Sequence, residues 1–244
     1  MRHLLCFYFL SFSSLCLSQQ KIVDSLEQVI SQYEKPDTTY INLRNEYISK
    51  KSFLTPTDST WLDFSLKTLE VANTINYTKG RIMACERIGV VYQYLLSDHY
   101  KAIDYYLEGL KIIDGEKSLE KYGVRLLASI GTIYLEQQEF DKALTNFKKA
   151  LDYFPNSISM LSNIGNVYGK KKQSDSAIYY YKRAIKEAEK TSNYLYLANT
   201  KSDLSFVLSE VGKIKEALVN IEESLALVNT HKLEFIRMAV YINA

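Results

Sequence analysis

A spacing of small and apolar residues that recurs after 34 positions constrains this chain more than any other feature. The first copy is defined by seven positions: Leu127, Ile130, Gly131, Tyr134, Ala143, Phe147 and Ala150. The second copy repeats the residue types at Leu161, Ile164, Gly165, Tyr168, Ala177, Tyr181 and Ala184. A fixed period of this length indicates a repeat architecture. Two helices can approach closely at the Gly and Ala positions, where a large side chain would overpack the contact.

The order of these residues resembles the tetratricopeptide repeat (TPR), a helix–turn–helix unit with conserved Trp, Leu-Gly, Tyr, Ala and Phe positions. Leu127 and Leu161 replace the Trp, and only the first copy has the closing proline, Pro155. The resemblance implies an all-α fold, a right-handed α-solenoid of antiparallel helix pairs (TPR superhelix). One pair cannot bury its own apolar face, so at least three repeats are expected to stack.

Weaker copies extend the pattern in both directions. The second-helix alanine recurs at steps of 41, 34 and 40 residues, at Ala102, Ala143, Ala177 and Ala217. The longer steps predict helices or connections that are longer by about two turns. Gly89 precedes its alanine by 13 residues instead of 12, which predicts an inserted residue in the turn near Ser97 and Asp98.

We therefore predict eight segments along the chain. They are a signal peptide (1–18), an N-terminal helix (19–36), a degenerate first repeat (37–79), four repeats (80–122, 123–156, 157–193 and 194–230) and the first helix of a truncated or capping repeat (231–244). The early pair is the least regular, because Trp61 stands near the place where the family has a small alanine.

The first 18 residues have the layout of a secretory signal peptide. Arg2 and His3 give a positive start, Leu4 to Leu17 is apolar, and a small-residue cleavage site follows. This apolar stretch is shorter than the roughly 20 residues that a membrane-spanning helix needs. We expect export to the periplasm or the medium, with a retained anchor as the alternative.

Composition agrees with a helical protein that is stabilised by packing alone. Only 9 glycines and 3 prolines occur in 244 residues, which predicts few breaks between helices. Cys85 is the only cysteine after the signal segment, and its apolar helix face predicts a small buried hydrophobe. The net charge of +2 gives no reason to expect binding to nucleic acid.

Catalytic and metal-binding patterns are missing from the sequence. His99, expected in a turn, and His231 are the only histidines after the signal segment, and neither has a metal-ligand spacing. The sequence also lacks a glycine-rich phosphate loop and a nucleophile elbow. We expect no enzymatic activity, no cofactor, no metal and no membrane span after the signal peptide.

The resemblance also implies a binding surface, because the first helix of each repeat lines the concave groove in this family. The candidate groove residues are Met83, Glu86, Gln93, Tyr94, Arg125, Thr132, Glu136, Ser162, Asn166, Lys170, Asn199, Ser202, Phe206 and Glu210. Tyr94 and Phe206 are the candidate aromatic anchors. The expected partner is a protein or a peptide.

Two functions fit this interpretation. The start of the exported part resembles TPR regions that precede a membrane span and a histidine kinase or regulator, which implies the sensory or docking region of a bacterial envelope signalling protein. In that case we expect the chain to continue beyond Ala244. The alternative is a stand-alone periplasmic or secreted assembly factor that binds envelope proteins.

Overall fold

The computed structural model describes residues 19–54, 60–113, 116–233, 236 and 240. The predicted signal peptide lies outside the described residues, as does most of the predicted last helix. Across the described ranges the secondary structure is helical, without a β-strand. None of the helices in these ranges is both long enough and apolar enough to cross a membrane.

The helices follow one another through short turns. Their bounds are α1 (19–31), α2 (Thr38–Leu54), α3 (Thr60–Thr74), α4 (Thr78–Val90), α5 (His99–Ile113), α6 (Glu120–Glu136), α7 (Phe140–Tyr153), α8 (Ile158–Lys170), α9 (Ser174–Lys190), α10 (Tyr194–Glu210) and α11 (Ile214–Thr230). A π-helical turn (Val91–Leu95) follows α4, and a short 3₁₀ helix (Lys117–Leu119) precedes α6. His99, predicted to lie in a turn, is the first residue of α5, so that prediction is wrong.

Local hydrogen bonds set the helix ends. The Asp37 carboxylate accepts the Tyr40 amide hydrogen at 2.8 Å and caps the start of α2. Several helices end at a residue with positive φ: Gln138, Lys172, Ser192 and Gly212. In the first of these ends, the Glu139 amide donates to the Tyr134 carbonyl at 2.8 Å, which satisfies a terminal acceptor.

The inserted residue of the first regular repeat lies inside a helix end. The Leu96 amide donates to the Val91 carbonyl at 3.1 Å, five residues back, and the Asp98 amide donates to the Tyr92 carbonyl at 2.9 Å. The matching bond of the next repeat spans one residue fewer. The extra residue therefore widens the last turn of α4 into a π-helical turn, upstream of the predicted position near Ser97.

Residues 1–126 and 127–244 form two compact units. In the first unit, Trp61 is buried against Val23, Tyr47 and Val91. A neighbouring cluster contains Cys85, which is fully buried as predicted, and burial raises the pKa of its thiol to about 12.

In the second unit, the glycines of the two best sequence copies lie directly under aromatic rings. A Cβ atom on Gly131 would lie 2.5 Å from the Phe147 ring, and one on Gly165 would lie 2.8 Å from the Tyr181 ring. These contacts show why the recurring spacing needs glycine. The last described residues, Ile236 and Val240, are helical and buried in a cluster with Ile221.

The predicted fold class, an all-α solenoid of antiparallel helix pairs, is confirmed. The pairs α8–α9 and α10–α11 pack side by side within the second unit. Their long step is explained by helix length, because α9 and α10 have 17 residues each, whereas α7 has 14 and α8 has 13.

Candidate functional site

A pocket opens in the second unit between the first helices of successive repeats. Its volume is about 340 Å³. Helices α8 and α10 supply most of its walls, and α6 and α9 each add one side chain. The lining residues are Leu135, Asn166, Gly169, Lys170, Lys172, Tyr181, Asp203, Phe206, Val207 and Glu210.

Gly169 keeps this pocket open. A Cβ atom added there would lie 3.6 Å from Val207 Cγ2 and 4.0 Å from the Tyr181 hydroxyl, so the position borders space that a larger side chain would fill. Gly169 follows Gly165 by four residues, one helical turn further along α8. The corresponding residue of the first unit is Gln93, four residues after Gly89.

Gln93 shows how a side chain fills that position. It is 3% exposed, and its Oε1 accepts a hydrogen bond from the Tyr106 hydroxyl at 2.9 Å. Tyr106 covers Gly89 as Tyr181 covers Gly165. Since the glycine–ring contact is the same in both repeats, the open pocket follows from the residue one turn later.

Without a side chain at Gly169, the Tyr181 hydroxyl bonds elsewhere. It donates to Asn166 Oδ1 at 2.5 Å. Burial, together with the nearby Asp203 charge, raises the pKa of Tyr181, so the phenol stays neutral and acts as the donor. Among the described residues, Asn166 Nδ2 has no acceptor, which leaves an amide donor at the pocket wall.

Asp203 contributes a carboxylate without a partner. It lies on α10, is partly buried and lines the pocket. Within the described part of the chain, its oxygens accept no hydrogen bond and form no ion pair. Burial raises the pKa of Asp203 to about 6, because the charged form loses hydration without gaining a compensating contact.

The remaining charges stand at the rim. Lys172 Nζ contacts Glu210 Oε1 at 2.6 Å, so these two charges satisfy each other. Lys170 is exposed and forms no ion pair with a described residue. The Phe206 ring is 51% exposed and gives an apolar surface next to Val207.

This arrangement suits the capture of a chain segment. It combines an amide donor, an exposed ring and a carboxylate in one concavity, as peptide sites do. In the described ranges, no cluster of three or more His, Cys, Asp or Glu residues is placed to hold a metal ion.

The structure brings four of the predicted groove residues together: Asn166, Lys170, Phe206 and Glu210 all line the pocket. Three others are buried instead: Gln93, Ser162 and Ser202 are 3%, 8% and 2% exposed. The Ser162 hydroxyl lies 2.9 Å from the Thr200 hydroxyl, inside the α8–α10 contact. The prediction that these three line an open surface is wrong, because they face neighbouring helices.

The other predicted groove residues lie outside this pocket. In the first unit, Arg125 forms an ion pair with Glu86, Tyr94 is 67% exposed, and Met83 is partly buried. In the second unit, the Thr132 hydroxyl donates to the Ala128 carbonyl of its own helix at 2.9 Å. Glu136 is exposed, and Asn199 is partly buried.

Sequence reasoning missed Asp203 and Gly169. A signal for Asp203 exists, because it precedes Phe206 by three residues and Glu210 by seven, which places all three on one helical face. Gly169 could be found by aligning the repeats at the packing glycine and reading the residue one turn later.

Comparisons with known proteins support the repeat assignment. A model described as "Tetratricopeptide repeat" matches residues 156–230, and one described as "TPR repeat" matches residues 131–172. A search of the curated proteins found no match.

Solved structures share the fold at low sequence identity. BtubC from P. vanneervenii matches with a TM-score of 0.70 at 16% identity, over 89% of this chain and 91% of BtubC. The quorum sensor NprR from B. thuringiensis, in its apo form, gives 0.68 at 20% identity, over 98% of this chain and 67% of NprR. Aspartyl phosphate phosphatase F from Bacillus subtilis gives 0.67 at 16% identity, over 90% of this chain and 64% of the phosphatase.

Three observations now agree: the glycine spacing, the helix pairs with an aromatic ring over each packing glycine, and the two family models. Residues 131–230 of this chain belong to the tetratricopeptide repeat family.

Proposed function

We propose that this protein is a non-catalytic scaffold that binds a peptide segment of a partner protein in the pocket around Phe206 and Asn166. The observation that carries the proposal is the position of this pocket, on the first helices α8 and α10 of two successive repeats. The Asn166 amide can donate to a peptide carbonyl, and the Phe206 ring can pack against an apolar side chain.

We further propose that the scaffold is exported and forms the sensory or docking region of an envelope signalling protein. The signal-peptide pattern in residues 1–18 supports export. The shared fold with a quorum sensor is consistent with a sensory role. A partner that is nucleic acid is disfavoured by the balanced net charge of +2.

Panning a phage-displayed hexapeptide library against the immobilised full chain tests the binding proposal. We expect a peptide family to be enriched, and its affinity to fall at least tenfold in Phe206→Ala. Tyr100→Ala is the matched control, because it removes a ring that is 83% exposed and lies outside the pocket. Failure to enrich any peptide, or equal loss in both variants, would contradict the proposed site.

Export is tested separately by expressing the full reading frame in a bacterial host and sequencing the N-terminus of the mature protein. We expect the first residue to be Gln19 or Gln20 in an envelope or medium fraction. An intact N-terminus in the cytoplasmic fraction would contradict export without touching the binding proposal.

A further inference from the structure

Asp203 is the charge that the pocket leaves unsatisfied. A partly buried carboxylate loses hydration and needs a hydrogen bond, a counter-charge or a proton to recover that free energy. The described chain supplies neither a hydrogen bond nor a counter-charge. The missing group therefore comes from outside the chain or from solvent.

The other titratable groups around the pocket do not meet this need. Lys172, which follows α8, is engaged by Glu210 of α10. Lys170 of α8 points its charge to the exposed rim, and Tyr181 of α9 donates its hydrogen to Asn166. Asp203 thus remains the negative charge to which an incoming cation can bind.

The surrounding walls suit a long cationic side chain. Leu135, Phe206 and Val207 line the same pocket and can cover the methylene groups of lysine or arginine. The exposed Phe206 ring can also attract the cation itself. The volume of about 340 Å³ admits one such side chain with part of its peptide backbone.

We propose that Asp203 determines the specificity of this pocket by pairing with an arginine or lysine side chain of the bound peptide. The inference rests on the proposed peptide-binding function and adds the chemical class of the ligand. It also predicts that binding depends on pH, because protonation of Asp203 removes the negative charge that the ligand needs.

The first test compares the same hexapeptide library on three proteins at pH 7.5: the wild type, Asp203→Asn and Asp152→Asn. Asp152 is the matched control, because it is an exposed aspartate on α7 that does not line the pocket. We expect Arg or Lys to be enriched at one peptide position with the wild type and the control, and this preference to disappear with Asp203→Asn.

The outcomes separate the inference from the proposed function. Peptides that bind the wild type without a basic position, or that keep it with Asp203→Asn, would overturn the inference while the binding function stands. Enrichment of no peptide at all would overturn the binding function and the inference with it.

The second test is a pH profile of one selected peptide, measured by fluorescence anisotropy. Since the pKa of Asp203 is raised to about 6, we expect the wild-type affinity to be roughly tenfold weaker at pH 5 than at pH 7. We expect the Asp203→Asn affinity to be low and flat over the same range. A profile shared by both proteins would overturn the role of Asp203.

Discussion

The end of α4 in the first unit and the end of α8 in the second unit use the same packing contact and reach opposite results. In each, a glycine lies under a tyrosine ring, Gly89 under Tyr106 and Gly165 under Tyr181. One turn later, Gln93 fills the first position, whereas Gly169 leaves the second one open. The comparison teaches that the repeat signature sets the helix packing, while a residue just outside it decides whether a pocket forms.

Each solution leaves one polar group unsatisfied. In the filled end, Gln93 Nε2 is buried and has no partner among the described residues. In the open end, the unsatisfied group is the Asp203 carboxylate, which faces a pocket that a ligand can enter. Unsatisfied polarity in the second unit is therefore accessible for binding.

The largest expected effect comes from breaking the shared contact. Gly89→Val and Gly165→Val should each lower the free energy of unfolding by about 3 kcal/mol or more, because a Cβ there would lie 2.3 Å and 2.8 Å from the ring. Thermal unfolding followed by circular dichroism measures this. A melting temperature unchanged in either variant would show that the two ends do not share the contact.

A smaller effect is expected from emptying the filled position. Gln93→Ala should lower the free energy of unfolding by about 2 kcal/mol, because the buried Tyr106 hydroxyl loses its acceptor and a void remains. A crystal structure of the variant should show a new opening beside Tyr106. Collapse of the neighbouring side chains into that space would show that the glycine–ring contact alone does not hold the end open.

Removing the unsatisfied charge should stabilise the open end. The pKa of Asp203 is raised from 3.8 to about 6 in the folded chain, so the wild type loses stability as pH rises through that window. Asp203→Asn should therefore raise the free energy of unfolding by about 1–2 kcal/mol at pH 7. The gain should vanish below about pH 4, and denaturant titration at both pH values measures it. An equal gain at both would contradict the assigned cause.

The smallest effect is expected from a methyl group in the open position. Gly169→Ala should raise the free energy of unfolding by up to about 1 kcal/mol, because alanine favours the helix and its Cβ meets Val207 at an ordinary 3.6 Å. Gly165→Ala is the matched comparison on the same helix and should destabilise. Destabilisation by both substitutions would place Gly169 among the packing glycines.

The sequence alone predicts the part of the molecule that repeats. The period of 34 residues, with Gly131 and Gly165 in it, identifies the helix pairs because close packing allows only small residues there. The first pair is harder to recognise, since Trp61 replaces a small residue and packs in a local aromatic cluster. The π-helical turn after α4 was placed a few residues too late, because one extra residue can enter a helix end or a turn.

The pocket could be predicted only in part. Family resemblance points to the correct helices, and therefore to Asn166 and Phe206. It assigns Ser162 and Ser202 wrongly, because two adjacent faces of one helix, one buried and one open, differ by a single residue of rotation. The environment of Asp203 depends on three helices at once, and no local pattern encodes it.

The most direct test of the account measures the affinity of a selected peptide for Gly169→Gln, which places in α8 the side chain that closes the first unit. We expect binding at least tenfold weaker than in the wild type. We also expect a melting temperature within a few degrees of the wild type, because the new side chain enters open space. Unchanged affinity in a folded Gly169→Gln protein would show that the ligand does not use this pocket.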